Sequence, residues 1–309
     1  MDSADEPRWA SVLARCAFPP AGTAVDCAVS GGPDSLALLV LAVASGCTVT
    51  AWHVDHGLRA GSADEATVVS SAAARLGAGF RSVTVALAPG PNLEDRARQA
   101  RYGVLPGGVL TGHTADDQAE TVLLALLRGA GLDGLAGMRP DGRRPLLALR
   151  RAETVALCAA EGLVPVDDPS NSDPAFRRNR VRHELVPLAC AIAERDVVPV
   201  LARTAALLRV EADALDGLAA PLDPTDVAGL LAAPPALARR ALRRWLASFS
   251  GGHPPDAAAL GRVLDVVSGR RRACQVAGVG TIARSRGWLR VDPAGGVSGG
   301  SGEAPGPVS

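Results

Sequence analysis

The stretch from residue 24 to residue 44 restricts the fold more than any other part of the chain. A short Val-rich run, Ala24-Val25-Asp26-Cys27-Ala28-Val29, reads as a buried strand, and the Leu, Ala and Val residues of 36–44 read as a buried helix. Between them lies Ser30-Gly31-Gly32-Pro33-Asp34-Ser35. Paired glycines at a strand-to-helix turn let the backbone coil tightly and approach a ligand. The N–H groups of such a turn and the positive end of the helix dipole point at one spot, which suits a phosphate. Ser30 and Ser35 add hydroxyl donors, while Asp34 would repel a phosphate unless a Mg²⁺ ion lay between them. The competing reading is a glycine turn with Asp34 complementing the helix dipole and no ligand at all. A Walker A site is excluded, because that motif needs a lysine and all 32 cationic side chains are Arg. The same absence excludes Schiff-base chemistry by a lysine of the protein.

Further strands are expected at 47–54, 82–87 and 108–111, alternating with helices at 64–76, 92–102 and 115–128. A short amphipathic helix at 8–17 precedes them. Strand–helix alternation at this spacing predicts an α/β fold built on a doubly wound parallel sheet, with its ligand crevice beyond the carboxyl ends of the strands. The Ser30 loop, the segment from His53 to Arg59 and the segment beginning at His113 all fall there. After Arg128 the pattern changes to a glycine-rich stretch and the basic loop 139–145, then a helix at 152–161. Residues 196–250 read as Ala/Leu/Arg-rich helices, 254–268 as another helix, 274–291 as a hairpin and 295–309 as a disordered Gly/Ser/Pro tail. The expected division is 1–190 for nucleotide chemistry, 191–291 as a mostly helical second domain, and 292–309 as the tail.

The formal net charge is zero, so a nucleic-acid partner would be held by local arginine clusters rather than a global field. Aromatics make up 3% of residues, which disfavours extensive base stacking. Cys16, Cys27, Cys47, Cys158, Cys190 and Cys274 include no Cys-x-x-Cys pair, as expected of reduced thiols in a cytoplasmic protein. No apolar run approaches the roughly 20 residues of a membrane span, and the acidic, polar residues 1–7 do not resemble a secretory signal. Neither a membrane nor an export route is expected.

The richest polar stretch is Gly112-His113-Thr114-Ala115-Asp116-Asp117-Gln118-Ala119-Glu120-Thr121. If Thr114 caps the helix, Asp117 and Glu120 share a face in its first two turns, at the end facing the crevice. Adjacent carboxylates there suit a divalent cation or a substrate amine, and His113 can reach a phosphate or an amine. The plainer reading is a capping box of Thr114 with Asp117 and an acidic first turn. His53 could be scaffold or could flank a nucleotide base. Arg98 and Arg101 could simply pair with Glu94 and Asp95 at helical spacing. The run Arg177-Arg178-Asn179-Arg180-Val181-Arg182 has no acidic residue within it, which favours phosphate contact over a solvated face.

Together these residues resemble the PP-loop ATP pyrophosphatase superfamily and, within it, the tRNA(Ile)-lysidine synthetase family in its short form. The Ser30–Ser35 loop is shared across the superfamily. The more diagnostic elements are His53-Val54-Asp55-His56-Gly57-Leu58-Arg59, Glu94 with Arg98 and Arg101-Tyr102, and Gly112-His113 through Thr121. Arg128-Gly129-Ala130-Gly131, Asp168-Pro169-Ser170-Asn171 and Arg178-Asn179-Arg180 with Arg182-His183 complete the set, all between about residues 24 and 188. Between Tyr102 and His113 the chain departs from the family, with Pro106-Gly107-Gly108 where a longer helix is usual.

The resemblance implies that ATP adenylates C2 of the wobble cytidine in a tRNA(Ile) with a CAU anticodon, and that free L-lysine then displaces AMP. It implies that Ser30, Gly31, Gly32, Pro33, Asp34 and Ser35 hold the departing phosphates, with Asp34 positioning Mg²⁺, and that His53 flanks the adenine. Asp117 and Glu120 would orient the lysine amine or a metal, and Arg101 and His113 would stabilise charge on the α-phosphate. Arg178, Arg180 and Arg182 would grip the tRNA backbone, leaving residues 196–291 for the acceptor end. The alternatives are another PP-loop tRNA-modifying enzyme such as a cytidine thiolase, whose relatives use paired cysteines that this chain lacks, and an ATP-binding sensor without turnover. Whether the chain pairs as a homodimer is left open by the sequence, as is the means by which initiator methionine tRNA is rejected.

Overall fold

The computed structural model describes residues 9–55, 62–85, 96, 100, 103–166 and 172–293. It comprises two compact units, Met1–Arg209 and Val210–Ser309. In the first, strands β1 (Ala24–Ala28), β2 (Thr48–Asp55), β3 (Gly79–Thr84) and β4 (Leu110–Thr111) form a sheet in the order β3-β2-β1-β4. Every pairing is parallel. The expected doubly wound α/β sheet is therefore present, and its strand order reverses between β1 and β4.

The helix Pro33–Ala44 explains why this unit needs layers on more than one side. It is apolar around its circumference, with Leu36, Leu38, Leu39 and Leu41 fully buried, so the sheet alone cannot cover it. Leu146, Leu149, Leu157, Cys158 and Leu163 close the core with it, which brings the helix Arg151–Ala160 alongside.

Strand β3 begins three residues before the expected start and ends at Thr84 rather than Leu87. It is an edge strand whose residues are all exposed or half-buried, so no one-sided burial marks its ends. Its register is set instead by pairing with β2, Gly79 opposite Thr50 through Thr84 opposite Asp55. The helix expected at 92–102, with Glu94, Arg98, Arg101 and Tyr102, lies outside the described residues, as do His56 to Arg59 and 168–171.

The second unit packs the helices Val227–Ala232, Pro235–Phe249 and Ala257–Val267 on a three-stranded antiparallel sheet of β5 (Ala273–Val276), β6 (Gly280–Ser285) and β7 (Trp288–Pro293). Leu242, Leu246, Val263, Val266 and Ile282 are fully buried in its core. The hairpin expected over 274–291 is thus a meander. Its second turn has both Arg286 (φ 50°) and Gly287 (φ 84°) in the left-handed region, as a two-residue hairpin loop requires. Among the described residues no helix is long and apolar enough to cross a membrane.

Candidate active site

Main-chain pairing assembles the site. Ala28 of β1 is paired with Trp52 on one side and Thr111 on the other, so the segments after β1, β2 and β4 leave the sheet side by side. The segment after β4 lies directly on the loop after β1. A Cβ at Gly112 would stand 2.5 Å from the carbonyl oxygen of Asp34 and 2.8 Å from its carbonyl carbon, so only glycine permits the approach. Gly31 has φ +90°, and its carbonyl accepts the Val166 N–H at 3.0 Å. The Ser35 and Leu36 N–H groups return to the Gly32 carbonyl at 3.1 and 3.0 Å, starting the helix at Pro33. The Ser35 hydroxyl also donates to Gly32 O at 2.8 Å, and its oxygen accepts the Ser30 N–H at 3.1 Å. Ser35 therefore holds the loop's shape, and the two serine hydroxyls lie 3.3 Å apart.

Three carboxylates converge beside this loop. Asp34 comes from the loop, and Asp117 and Glu120 come from the helix Ala115–Leu127, three residues apart on one face. One guanidinium meets all three. Arg151 donates from Nε to Asp34 Oδ2 at 3.0 Å, from an Nη to Asp117 Oδ1 at 2.9 Å and from the other Nη to Glu120 Oε1 at 3.1 Å. Thr154, one turn further along the Arg151–Ala160 helix and fully buried, donates to the other oxygen of Asp34.

Asp117 takes the capping role that its sequence position suggested, and its other oxygen meets guanidinium groups. Its Oδ2 accepts the Thr114 N–H at 2.8 Å and the Thr114 hydroxyl at 3.0 Å, which caps the helix, while Oδ1 faces the guanidinium groups. Burial alone would raise its pKa, but Arg151 and Arg178 more than reverse that, with help from the Thr114 N–H and His113, and hold it below the usual carboxylate value. For Asp34 burial prevails over Arg151 and Thr154, and its pKa is raised. Burial also opposes the charge on Arg151, yet Asp117, Asp34 and Glu120 leave its pKa above the ordinary guanidinium value.

The arginine-rich run supplies two more cations. Arg178 donates from Nε to Glu120 Oε2 at 2.7 Å and from Nη2 to Asp117 Oδ1 at 3.1 Å. Arg182 meets both oxygens of Glu120, at 2.7 and 3.2 Å. They lie four residues apart, across the junction of the helix Arg177–Arg180 with a π turn at Val181–Leu185. Acidic partners missing within the run are thus provided by another helix. Arg180 points elsewhere, is exposed, and pairs with Glu184 at 3.0 Å.

The two histidines sit differently. The His113 ring approaches Thr111 Oγ1 at 2.8 Å, beside the start of the acidic helix. His53 is buried, with Nδ1 3.0 Å from Val29 O immediately before the glycine loop, and its Nε2 has no hydrogen-bond partner among the described residues. Arg101 lies outside the described residues.

Arg151 and Thr154 were missed in the sequence, where they looked like ordinary residues at the opening of a helix. The available hint was Asp116. Its carboxylate takes the Arg150 side chain at 3.0 and 3.1 Å and the Arg151 N–H at 2.8 Å, fixing where that helix begins. Among the described residues no three His, Cys, Asp or Glu side chains form a metal cage. A Mg²⁺ held by Asp34 would draw most of its shell from phosphates and water, and it would share that carboxylate with Arg151 and Thr154, which occupy its two oxygens.

Comparison with known proteins bears on this geometry. A family model described as a PP-loop domain matches residues 7–189, and one described as a TilS substrate binding domain matches residues 226–290. A tRNA(Ile)-lysidine synthase from Nocardia farcinica is 44% identical over 257 residues, covering 77% of this chain and 80% of the relative. Another from Rhodococcus erythropolis is 45% identical over 237 residues, covering 71% and 72%. A solved U34-tRNA thiolase from Methanococcus maripaludis, 17% identical, superposes with a TM-score of 0.52 over 64% of this chain and 78% of its own, a likeness of fold alone. With the glycine loop, the acidic pair and both family models in place along its length, the chain belongs to the PP-loop ATP-utilising proteins and, among them, to the tRNA(Ile)-lysidine synthase family.

Proposed function

We propose that this protein joins L-lysine to C2 of the wobble cytidine of a tRNA(Ile) with a CAU anticodon, using ATP and releasing AMP and pyrophosphate. The observation that carries the reading is the meeting of Asp34, from the phosphate loop, with Asp117 and Glu120 on one guanidinium. Phosphates of a nucleotide and an amine can then be held side by side in one crevice. In the first step the cytidine O2 attacks the α-phosphorus and pyrophosphate leaves. In the second the lysine amine attacks C2, loses its proton, and AMP departs with that oxygen.

Ser30, Gly31, Gly32, Pro33, Asp34 and Ser35 cradle the departing phosphates, and His53, at the end of β2, flanks the adenine. Asp34 would hold the Mg²⁺, which when bound neutralises charge on the phosphates. Arg101 and His113 stabilise charge at the α-phosphate. Asp117 and Glu120 orient the amine. Three guanidinium groups balance the three carboxylates there, so the amine is not trapped as an ammonium by excess negative charge, and the cations favour its neutral, nucleophilic form. Of the run expected to grip the tRNA backbone, exposed Arg180 is the member turned outward to do so, whereas Arg178 and Arg182 are committed to Asp117 and Glu120. Residues 1–190 carry the ATP chemistry and 191–291 serve the tRNA, with Asp292 and Pro293 completing the last strand of the second unit.

The test is ATP–pyrophosphate exchange and AMP release with a tRNA(Ile) transcript, with and without free lysine. Lysine-dependent AMP is expected. AMP release indifferent to lysine would replace this reading with another adenylating tRNA modification, and ATP binding without turnover would replace it with a sensor.

A further inference from the structure

Arg151 stands at the middle of the site, and beyond its share in the charge balance no role above belongs to it. Each of its three side-chain nitrogens serves a different carboxylate, and those carboxylates come from two separate elements. Its own backbone cannot slide, because the Arg151 N–H is held by Asp116 and the helix it opens is capped by Glu153 on the Arg150 N–H at 2.9 Å. Thr154 of the same helix fixes the far oxygen of Asp34. Without a cation between them, three buried or half-buried carboxylates would repel one another and drive the phosphate loop away from the acidic helix. Arg178 and Arg182 cannot substitute, since they meet Asp117 and Glu120 and not Asp34.

We infer that Arg151 is a positioning residue for amine transfer: it sets the distance between the phosphate loop, through Asp34, and the amine-orienting pair Asp117 and Glu120. The inference rests on the lysidine-forming reading for its kinetic consequence but not for its electrostatic one. A lysine at position 151 restores the charge without the fork, because an ammonium is a point donor on a flexible stem whereas a guanidinium presents its donors in a fixed plane.

Two measurements test it. In thermal unfolding, Arg151→Met should lower the melting temperature, and adding Glu120→Gln to it should lower it less than the sum of the two single changes, since relieving one carboxylate matters more once the guanidinium is gone. Additive effects would overturn the electrostatic role. In kinetics, Arg151→Lys should raise KM for lysine about tenfold or more, with a smaller fractional loss in ATP–pyrophosphate exchange. Equal losses in both would reduce Arg151 to a structural ion pair, and wild-type values in both would remove it altogether. If the wild-type protein makes no lysine-dependent AMP, the proposed function fails, while a non-additive unfolding cycle would still identify Arg151 as the holder of the three carboxylates.

Discussion

Arg182 donates from Nε to Glu120 Oε1 at 2.7 Å, joining an arginine expected to face RNA to a carboxylate expected to face an amine. Glu120 is 2% exposed, and Arg151 and Arg178 reach it as well. The acidic pair is therefore the buried hub of a charge network, and substitutions there should report on stability and turnover together.

Glu120→Gln leaves guanidinium groups around a neutral amide. Breaking a buried ion pair from one side costs about 3 kcal/mol or more, and lysine-dependent AMP formation should fall by at least about a hundredfold. Urea unfolding and single-turnover assays check the two effects. Wild-type turnover in this variant would remove Glu120 from the mechanism. Asp117→Ala should abolish lysine transfer and forfeit about 1 kcal/mol of helix capping besides.

Gly112→Ala probes the contact between the two loops. Its Cβ would fall 2.5 Å from Asp34 O, with backbone on the other side of the clash, so the glycine loop must shift. Overpacking of this kind costs about 1–3 kcal/mol, and on the proposed reading, in which loop geometry positions the phosphates, ATP–pyrophosphate exchange should drop by about a hundredfold. An exchange rate near that of the wild type would show that the loop tolerates displacement.

Arg180 is the exposed member of its run. Arg180→Ala should weaken tRNA(Ile) binding and reduce the slope of log affinity against log salt by about 1, with little change in melting temperature, because exposed i,i+4 pairs contribute little. Filter binding across a salt series measures both quantities. An unchanged slope would make Arg180 a solvated residue.

Acid should act through Asp116 and Asp117. Burial would raise both, but hydrogen bonds from Arg150 and the Arg151 N–H at Asp116, and the charges of Arg151 and Arg178 at Asp117, leave both folded values depressed. Their stabilisation is present above the unfolded carboxylate value of about 4 and is lost as pH falls through the lower folded values. Asp34, raised by burial, works the opposite way: its contribution is full at low pH and declines as pH rises through its folded pKa. Unfolding free energy should thus fall steeply below about pH 4, and Asp116→Asn should flatten that fall. An unaltered slope would place the acid sensitivity elsewhere.

Much of the scaffold was legible without coordinates. The turn at Gly31 and Gly32 and the apolar helix behind it betray themselves because positive φ and burial on every side restrict residue type locally. The Thr114–Asp117 cap was equally readable, its partners being three residues apart. Edge strand β3 was misplaced because nothing buries one face of it.

By itself the sequence determined the parallel α/β sheet, the glycine loop at its switch point and the acidic face of the helix that follows β4, since each is a matter of neighbours within a few residues. Only the tertiary structure decided which cation those acids meet. Arg151 lies 117 residues from Asp34, 34 from Asp117 and 31 from Glu120, and Arg182 lies 62 from Glu120. A charge pair across such separations leaves no periodic trace, because Coulomb attraction would accept any of the chain's arginines, and packing alone selects the one that arrives.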